Sequence, residues 1–216
     1  AASNASCTSV RTAVNATVNA TPTVTGTAGS RCDAGTVTLS ASATAGTISW
    51  YANASGGSVL GTGTSFTTPS ISSTTTYYAE SVNGTCTSVR IPVIATVNTT
   101  PTITSTTGAT ICGQGGGTLS ATASAGTIYW YSLASGGSAF ATGTSIPVSG
   151  GSYTYYVEAS TGSCTSARVP VTYTYIPTPT ITLAGSASRC GAGSVTLTTA
   201  ADSGTISWYA AATGGS

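Results

Sequence analysis

A tandem repeat constrains this chain more than any other feature. Trp50, Trp130 and Trp208 stand 80 and 78 residues apart. Cys32, Cys112 and Cys190 show the same two steps, and Cys7, Cys86 and Cys164 stand 79 and 78 apart. The period is therefore about 79 residues, and all 6 cysteines fall on one of two repeated positions. That period exceeds those of most solenoids and suits small β domains strung one after another. Residues 1–19 read as the C-terminal strand of a preceding repeat, 20–98 and 99–176 as two complete repeats, and 177–216 as the N-terminal half of a further one. The expectation is a segment of a longer array, without a signal peptide of its own. The junctions at 95–104 and 173–182 are short, and Pro101, Pro177 and Pro179 stiffen them by fixing φ. A semi-rigid rod follows.

Composition decides the class. Ser and Thr supply 79 of 216 residues, while Lys, His and Met are absent and only 4% of residues are charged. Val, Ile, Thr and Tyr favour strands, and good helix formers are scarce, so the chain is all-β. Hydrophobic residues at 40% and aromatics at 7% argue against disorder. Without Lys or His, most acid–base, Schiff-base and P-loop chemistry is out of reach. A net charge of +1 leaves no footprint for nucleic acid, and no apolar run is long enough for membrane insertion as a helix.

One repeat reads as seven short strands. The first lies near 22–27, followed by an eight-residue loop, 28–35, that carries Cys32. Thr36–Ala41 alternates, with Val37, Leu39 and Ala41 on one face. Thr47–Tyr51 turns Ile48 and Trp50 inward. Gly56-Gly57 lead into a short strand near 58–61, and another follows near 65–71. Thr75–Val82 ends at Asn83-Gly84, a hairpin signal. Thr87–Val97 closes the unit, with Val89, Ile91, Val93 and Val97 on one face. Seven strands with a tryptophan on the third form an immunoglobulin-like pattern, and Tyr77 or Tyr78 is placed for a tyrosine corner. The fold expected is a series of seven-stranded immunoglobulin-like β-sandwiches arranged end to end, with Trp50, Trp130 and Trp208 as structural core.

The cysteines read as disulfides in an oxidising compartment. A metal site is not expected, because there is no His, no close Cys pair and too few acids; no cofactor is expected either. Two pairings stay open. Pairing inside each repeat gives Cys32–Cys86 and Cys112–Cys164. Yet five reversing strands separate Cys32 from Cys86, which puts them at opposite ends of a sandwich about 20 Å long. A disulfide needs Cα atoms within about 7 Å. The same geometry brings the loop of one repeat to the last hairpin turn of the next. That predicts an inter-domain Cys32–Cys164 bond, with Cys7, Cys86, Cys112 and Cys190 pairing to repeats outside the segment.

Glu80 and Arg90 flank their hairpin symmetrically, as do Glu158 and Arg168. Each pair is expected as a cross-strand ion pair contributing roughly 0.2–1 kcal/mol. Arg11 has Ala1 where the acid would be. Tyr51, Tyr131 and Tyr209 recur at one position and suit either plain strand surface or a platform that stacks on sugars. All six asparagines (4, 15, 19, 53, 83, 98) lie in Asn-x-Ser/Thr sequences; so hydroxyl-rich a chain produces several by chance, and six of six is suggestive of glycosylation. Gly113-Gln114-Gly115-Gly116-Gly117 is no phosphate loop, since no Lys follows. The four acids are too scattered for a glycosidase pair, and no enzyme is expected here.

The blocks Gly-Thr-Ile-Ser-Trp-Tyr (46–51), Gly-Gly-Ser (56–58), Thr-Thr-Thr-Tyr-Tyr-Ala-Glu (74–80) and Cys-Thr-Ser-Val-Arg (86–90) resemble a bacterial Ig-like repeat. The second repeat has Gly-Thr-Ile-Tyr-Trp-Tyr (126–131), Thr-Tyr-Tyr-Val-Glu (154–158) and Cys-Thr-Ser-Ala-Arg (164–168) in the places of the first, third and fourth blocks. The chain is similar to a family found in tandem in very large secreted and surface proteins of Bacteroidetes, including adhesins and type IX secretion cargo. The resemblance implies an extracellular or cell-surface stalk, filament or spacer. Its partners would be neighbouring repeats, identical chains in a filament, and surface glycans. The alternative is a carbohydrate-binding or spacer module of a secreted multidomain hydrolase.

Overall fold

Strand formers between glycine turns put one face of each segment into a core and leave hydroxyls on the other. The computed structural model describes residues 1–213, and the elements there are strands, without a helix. Two compact units divide the chain.

The first unit comprises Ala1–Thr100 together with Thr161–Thr165. Its strands are β1 (Val24–Thr27), β2 (Gly29–Cys32), β3 (Thr38–Ala43), β4 (Thr47–Tyr51), β5 (Gly61–Thr62), β6 (Ser65–Thr67), β7 (Thr75–Asn83), β8 (Cys86–Thr87) and β9 (Ile91–Asn98). A sheet of order β1-β3-β6 packs on one of order β2-β9-β7-β4-β5, with β8 paired to β7. β1 and β2 are one strand shared between the two sheets, and β8 leads into β9, so the sandwich is seven-stranded and Ig-like. Leu39, Trp50, Ala79 and Ala95 are fully buried between the sheets. The Trp50 indole N–H donates to the Gly63 carbonyl at 2.9 Å, so the largest core side chain leaves no orphan donor.

The loop expected over 28–35 is a correction. Gly29–Cys32 is strand β2, and it runs parallel to β9 with Cys32 level with Asn98. Parallel pairing with the last strand needs no apolar alternation, so Gly-Ser-Arg-Cys gave no signal. Val89 is the second correction: it is 80% exposed. The Ser88 hydroxyl accepts the Ser81 N–H at 2.9 Å and interrupts the ladder between β8 and β9. That bulge takes Val89 off the inward face, while Val93, expected there, is buried with Ala95 and Ile91 packs against them. Tyr77, rather than Tyr78, is the buried member of its pair, and its ring packs on Phe66 with centroids 5.3 Å apart. The strand expected over residues 1–19 does not form. That stretch has an isolated Ser3–Thr8 bridge, and Val10, Val14 and Val18 are exposed.

The second unit comprises Pro101–Ser160 and Ser166–Ser216. Its strands are β10 (Ile103–Thr107), β11 (Ala109–Cys112), β12 (Gly116–Ala123), β13 (Thr127–Tyr131), β14 (Ala141–Thr142), β15 (Ser145–Ser149), β16 (Tyr153–Ser160) and β17 (Val169–Ile176), then β18 (Ile181–Ala184) and β19 (Thr199–Ala201). A β10-β12-β15 sheet packs on β11-β17-β16-β13-β14, with β11 parallel to β17. Trp130 is again fully buried and donates to the Gly143 carbonyl at 2.8 Å. Gly46 and Gly126 occupy the same turn with φ of 81° in both, where a side chain is strained.

The two cores are filled differently. Where the first repeat has Val37 and Ala95, the second has Gly117 and Tyr173. A Cβ at Gly117 would sit 3.4 Å from the Tyr173 ring and 2.8 Å from the Ala109 Cβ. The missing side chain on β12 makes room for the large one on β17, which conserves volume across the core. Tyr173 is fully buried, and its hydroxyl has no hydrogen-bond partner.

Trp208 is 58% exposed beside the β18–β19 pair, and counterparts of the strands that cover Trp50 and Trp130 are not among the described residues.

Candidate functional site

Two repeated features draw together the residues singled out in the sequence. One is a cysteine junction and the other a clamp of Arg, Tyr and Glu.

At the junction, Cys32 ends β2 and Asp33 turns the chain with φ 59°. The Asp33 N–H donates to the Asn98 carbonyl at 2.8 Å. Its carboxylate takes the Thr100 N–H at 3.0 Å and the Thr100 hydroxyl at 2.6 Å, and those bonds hold its pKa below the ordinary value. Cys32 is joined to Cys164 by a disulfide, with Cα atoms 5.8 Å apart and a sequence separation of 132. The Cys32 sulfur also lies 3.3 Å from the Ser163 carbonyl oxygen. The turn holding Cys164 closes on itself, Thr161 N–H to Cys164 carbonyl at 3.0 Å, and Cys164 is buried. Thr161–Thr165 accordingly belongs to the first compact unit.

The within-repeat alternatives are not formed. Cys86 begins the last hairpin arm, while Cys32 is level with the far end of β9. Eight residues of β9 span about 25 Å, well beyond disulfide reach. Cys7, Cys86, Cys112 and Cys190 are free thiols. No cluster of metal-binding side chains occurs among the described residues.

The clamp occurs once in each complete repeat. Glu80 on β7 and Arg90 just before β9 meet at 2.8 Å with both side chains largely covered. Glu158 and Arg168 meet at 3.1 Å. Sequence reasoning missed the third member. The Tyr51 hydroxyl donates to Glu80 at 2.6 Å, and the Tyr131 hydroxyl donates to Glu158 at 2.5 Å. Arg90 and Arg168 stack over the rings of Tyr51 and Tyr131 at 3.4 and 3.3 Å from the centroids. Each arginine also donates to two carbonyls of the loop after the tryptophan strand: Asn53 and Gly56 for Arg90, Leu133 and Gly136 for Arg168. The only available signal was the shared order of Tyr, Glu and Arg in both repeats.

This geometry removes the sugar-stacking platform at Tyr51 and Tyr131. Both are only 8% exposed, because a guanidinium covers the face a sugar would need. Tyr209 is exposed. Burial works to raise the Glu80 pKa, but the Tyr51 hydroxyl and the Arg90 guanidinium outweigh it and hold the carboxyl below its ordinary value. The hydrogen bond to Glu80 pushes the Tyr51 hydroxyl up, with burial in the same direction. Tyr131 rises for the same reason beside Glu158. These groups are held in one charge state near neutrality, which suits a structural clamp.

Residues 20–98 and 99–177 match the family described as Ig-like domain CHU_C associated. The chain belongs to that family. CHU_C-associated Ig-like domains occur in extracellular bacterial proteins and are typically non-enzymatic. The pair of them here makes the chain a structural repeat or spacer module. No curated protein matches the chain. Solved structures with a similar course of chain are distant in sequence. An I-band fragment of titin is 12% identical with a TM-score of 0.44, over 75% of this chain and 68% of that one. Sidekick-1 immunoglobulin domains 1–5 are 16% identical with a TM-score of 0.44, over 76% and 41%. Murine CEACAM1b is 15% identical with a TM-score of 0.41, over 71% and 100%. No helix among the described residues is long and apolar enough to cross a membrane.

Proposed function

We propose that this chain is a segment of an extracellular bacterial filament or adhesin stalk whose successive CHU_C-associated domains are joined by disulfides. One observation carries the reading: the cysteines of the Cys32–Cys164 bond come from two successive family matches. A bond placed that way constrains neighbours rather than a single fold, which is what an extended structural array needs. The free cysteines occupy the same two repeated positions, so the arrangement extends to further repeats on either side. Of the alternative, a carbohydrate-binding or spacer module of a secreted multidomain hydrolase, the carbohydrate-binding half loses support with the burial of Tyr51 and Tyr131.

The test is immunogold electron microscopy of intact cells of the source bacterium, with antibody against the chain, before and after reduction. Labelled surface fibres that loosen on reduction are expected. Label found only on a soluble hydrolase in the medium overturns the reading.

A further inference from the structure

We propose that the end of the second repeat around Cys112 is a socket for the cysteine-bearing turn of a further repeat, which closes a disulfide on Cys112. The proposal rests on the reading of the chain as a run of disulfide-joined repeats and adds where the next contact is made and what fills it.

The occupied example is the Cys32 end of the first repeat. Cys32 is the last residue of a strand parallel to β9, and the next residue takes a positive φ and donates its N–H to the Asn98 carbonyl. The turn Thr161–Thr165 is lodged there and bonded through Cys164. The Cys112 end repeats that scaffold. Cys112 is the last residue of β11 and is level with Ile176 on the parallel β17. Gly113 has φ 75° and donates to the Ile176 carbonyl at 2.9 Å. Gly115 has φ 157°, against 150° for Gly35 at the equivalent place. The Cys112 side is exposed and carries a free thiol. Beside it lies a depression of about 410 Å³ between the loops 113–115 and 149–151 and Tyr175.

The other half of such a junction is also present. Cys86 lies in the turn equivalent to that of Cys164, and its thiol sits 3.3 Å from the Asn19 carbonyl. Asn83 of the same turn donates to the Ala20 carbonyl at 3.3 Å. Asn19 stands 79 residues before Asn98, the residue level with Cys32. The cysteine turn of the first repeat thus already rests on the end of the segment that precedes it. The occupant that fits the Cys112 socket is therefore a tight, uncharged hairpin turn with a single cysteine, of the type Gly-Ser-Cys-Thr-Ser.

Closure needs an acceptor for two electrons, and a small-molecule disulfide such as oxidised glutathione serves. The Cys112 thiolate attacks it, forming a mixed disulfide and releasing one glutathione thiol. The turn's thiolate then attacks the Cys112 sulfur, forming the protein disulfide and releasing the second glutathione thiol; the two protein thiol protons end on the two glutathiones or in solvent.

The test uses the whole chain and a backbone-cyclised peptide carrying residues 159–168, its cysteine activated as a 2-thiopyridyl disulfide. Capture forms the Cys112–peptide bond and expels 2-thiopyridone. Mass spectrometry reads the rate at Cys7, Cys112 and Cys190, each divided by its rate with methyl 2-pyridyl disulfide. Cys190 shares the repeated position of Cys112 and lacks a second wall equivalent to loop 149–151 among the described residues. Capture at Cys112 is expected to be about tenfold faster than at the other two on that scale, as docking raises local concentration. A scrambled peptide should lose the preference. So should Gly151→Trp, which fills the depression; its peptide rate is divided by its own small-reagent rate, and a Cβ at Gly151 would meet only the Tyr153 hydroxyl and the ring carbon that bears it. Equal normalised rates, or a preference that survives scrambling or Gly151→Trp, overturn the socket. Surface fibres without selective capture refute the socket alone, and selective capture without surface fibres refutes the stalk alone.

Discussion

The Arg90 guanidinium stacks 3.4 Å from the centroid of the Tyr51 ring while it donates to Glu80 at 2.8 Å. One side chain therefore ties the hairpin of β7 and β9 to β4 and to the loop beyond it. Lysine keeps the charge and loses both the planar stack and the two-carbonyl fork. Arg90→Lys should destabilise the repeat less than Arg90→Ala, and both should speed amide exchange over residues 52–60. Tyr51→Phe keeps the ring and removes one donor from Glu80, at a cost of about 1 kcal/mol. Chemical denaturation with hydrogen exchange reads all three. An unchanged loop in Arg90→Ala would show that the stack is ornamental.

The same clamp sets a pH dependence. The Glu80 carboxyl is held below its ordinary value of 4.5, so its contribution is present above that value and fades as pH falls through the folded pKa. The Tyr51 hydroxyl is raised above 10.0, so its contribution is present below that value and fades as pH rises through the folded pKa. Stability should be flat between these limits. Glu80→Gln should flatten the acid limb, and a melting series from pH 2 to 7 checks it. Asp33, lowered by its bonds to Thr100, acts in the same acid sense and will leave part of that limb in place.

Removing the Cys32–Cys164 bond should matter through the long loop it closes. For a separation of 132 residues the chain-entropy limit is about 4–5 kcal/mol, which native-state effects usually reduce. Cys32→Ser and Cys164→Ser should have similar effects, and the double variant should add little. An unreduced digest of the wild-type chain should contain the Cys32–Cys164 peptide pair. A Cys32–Cys86 pair in its place would sink the inter-repeat bond.

The exchange of core volume between repeats predicts a coupling. Gly117→Val should overpack against Tyr173, costing about 1–3 kcal/mol. Tyr173→Ala should leave a void costing about 3–5 kcal/mol. The double variant recreates the Val and Ala combination of the first repeat, so its loss should fall well short of the sum. Tyr173→Phe removes the unpartnered hydroxyl and should be neutral or stabilising. Additive losses in the double-mutant cycle would show that the two sites do not share a cavity.

The repeat period, the sandwich and the buried Trp50 and Trp130 were legible because each rests on local pattern or on spacing. Val37, Leu39 and Ala41 alternate, and an alternating strand has one buried face wherever it pairs. Strand β2 was not legible, since Gly-Ser-Arg-Cys owes its conformation to β9, more than sixty residues away. Val89 was misplaced because one serine hydroxyl enters the ladder, and hydroxyls are too common here to mark the place. The Arg–Tyr–Glu clamp was half legible. Glu80 and Arg90 are symmetric about a hairpin, whereas Tyr51 joins them only once β4 and β7 are side by side. Trp208 kept the sequence signature without the partners that bury its counterparts.

The Cys32–Cys164 bond has a mechanical corollary. Tension applied to the two ends of the chain reaches Cys32, crosses the sulfurs and leaves from Cys164, bypassing residues 33–163. Those 131 residues are shielded from the pull while the bond is closed. At about 3.5 Å per residue they store roughly 460 Å of slack. Reducing agent, rather than force alone, is what makes that length extensible.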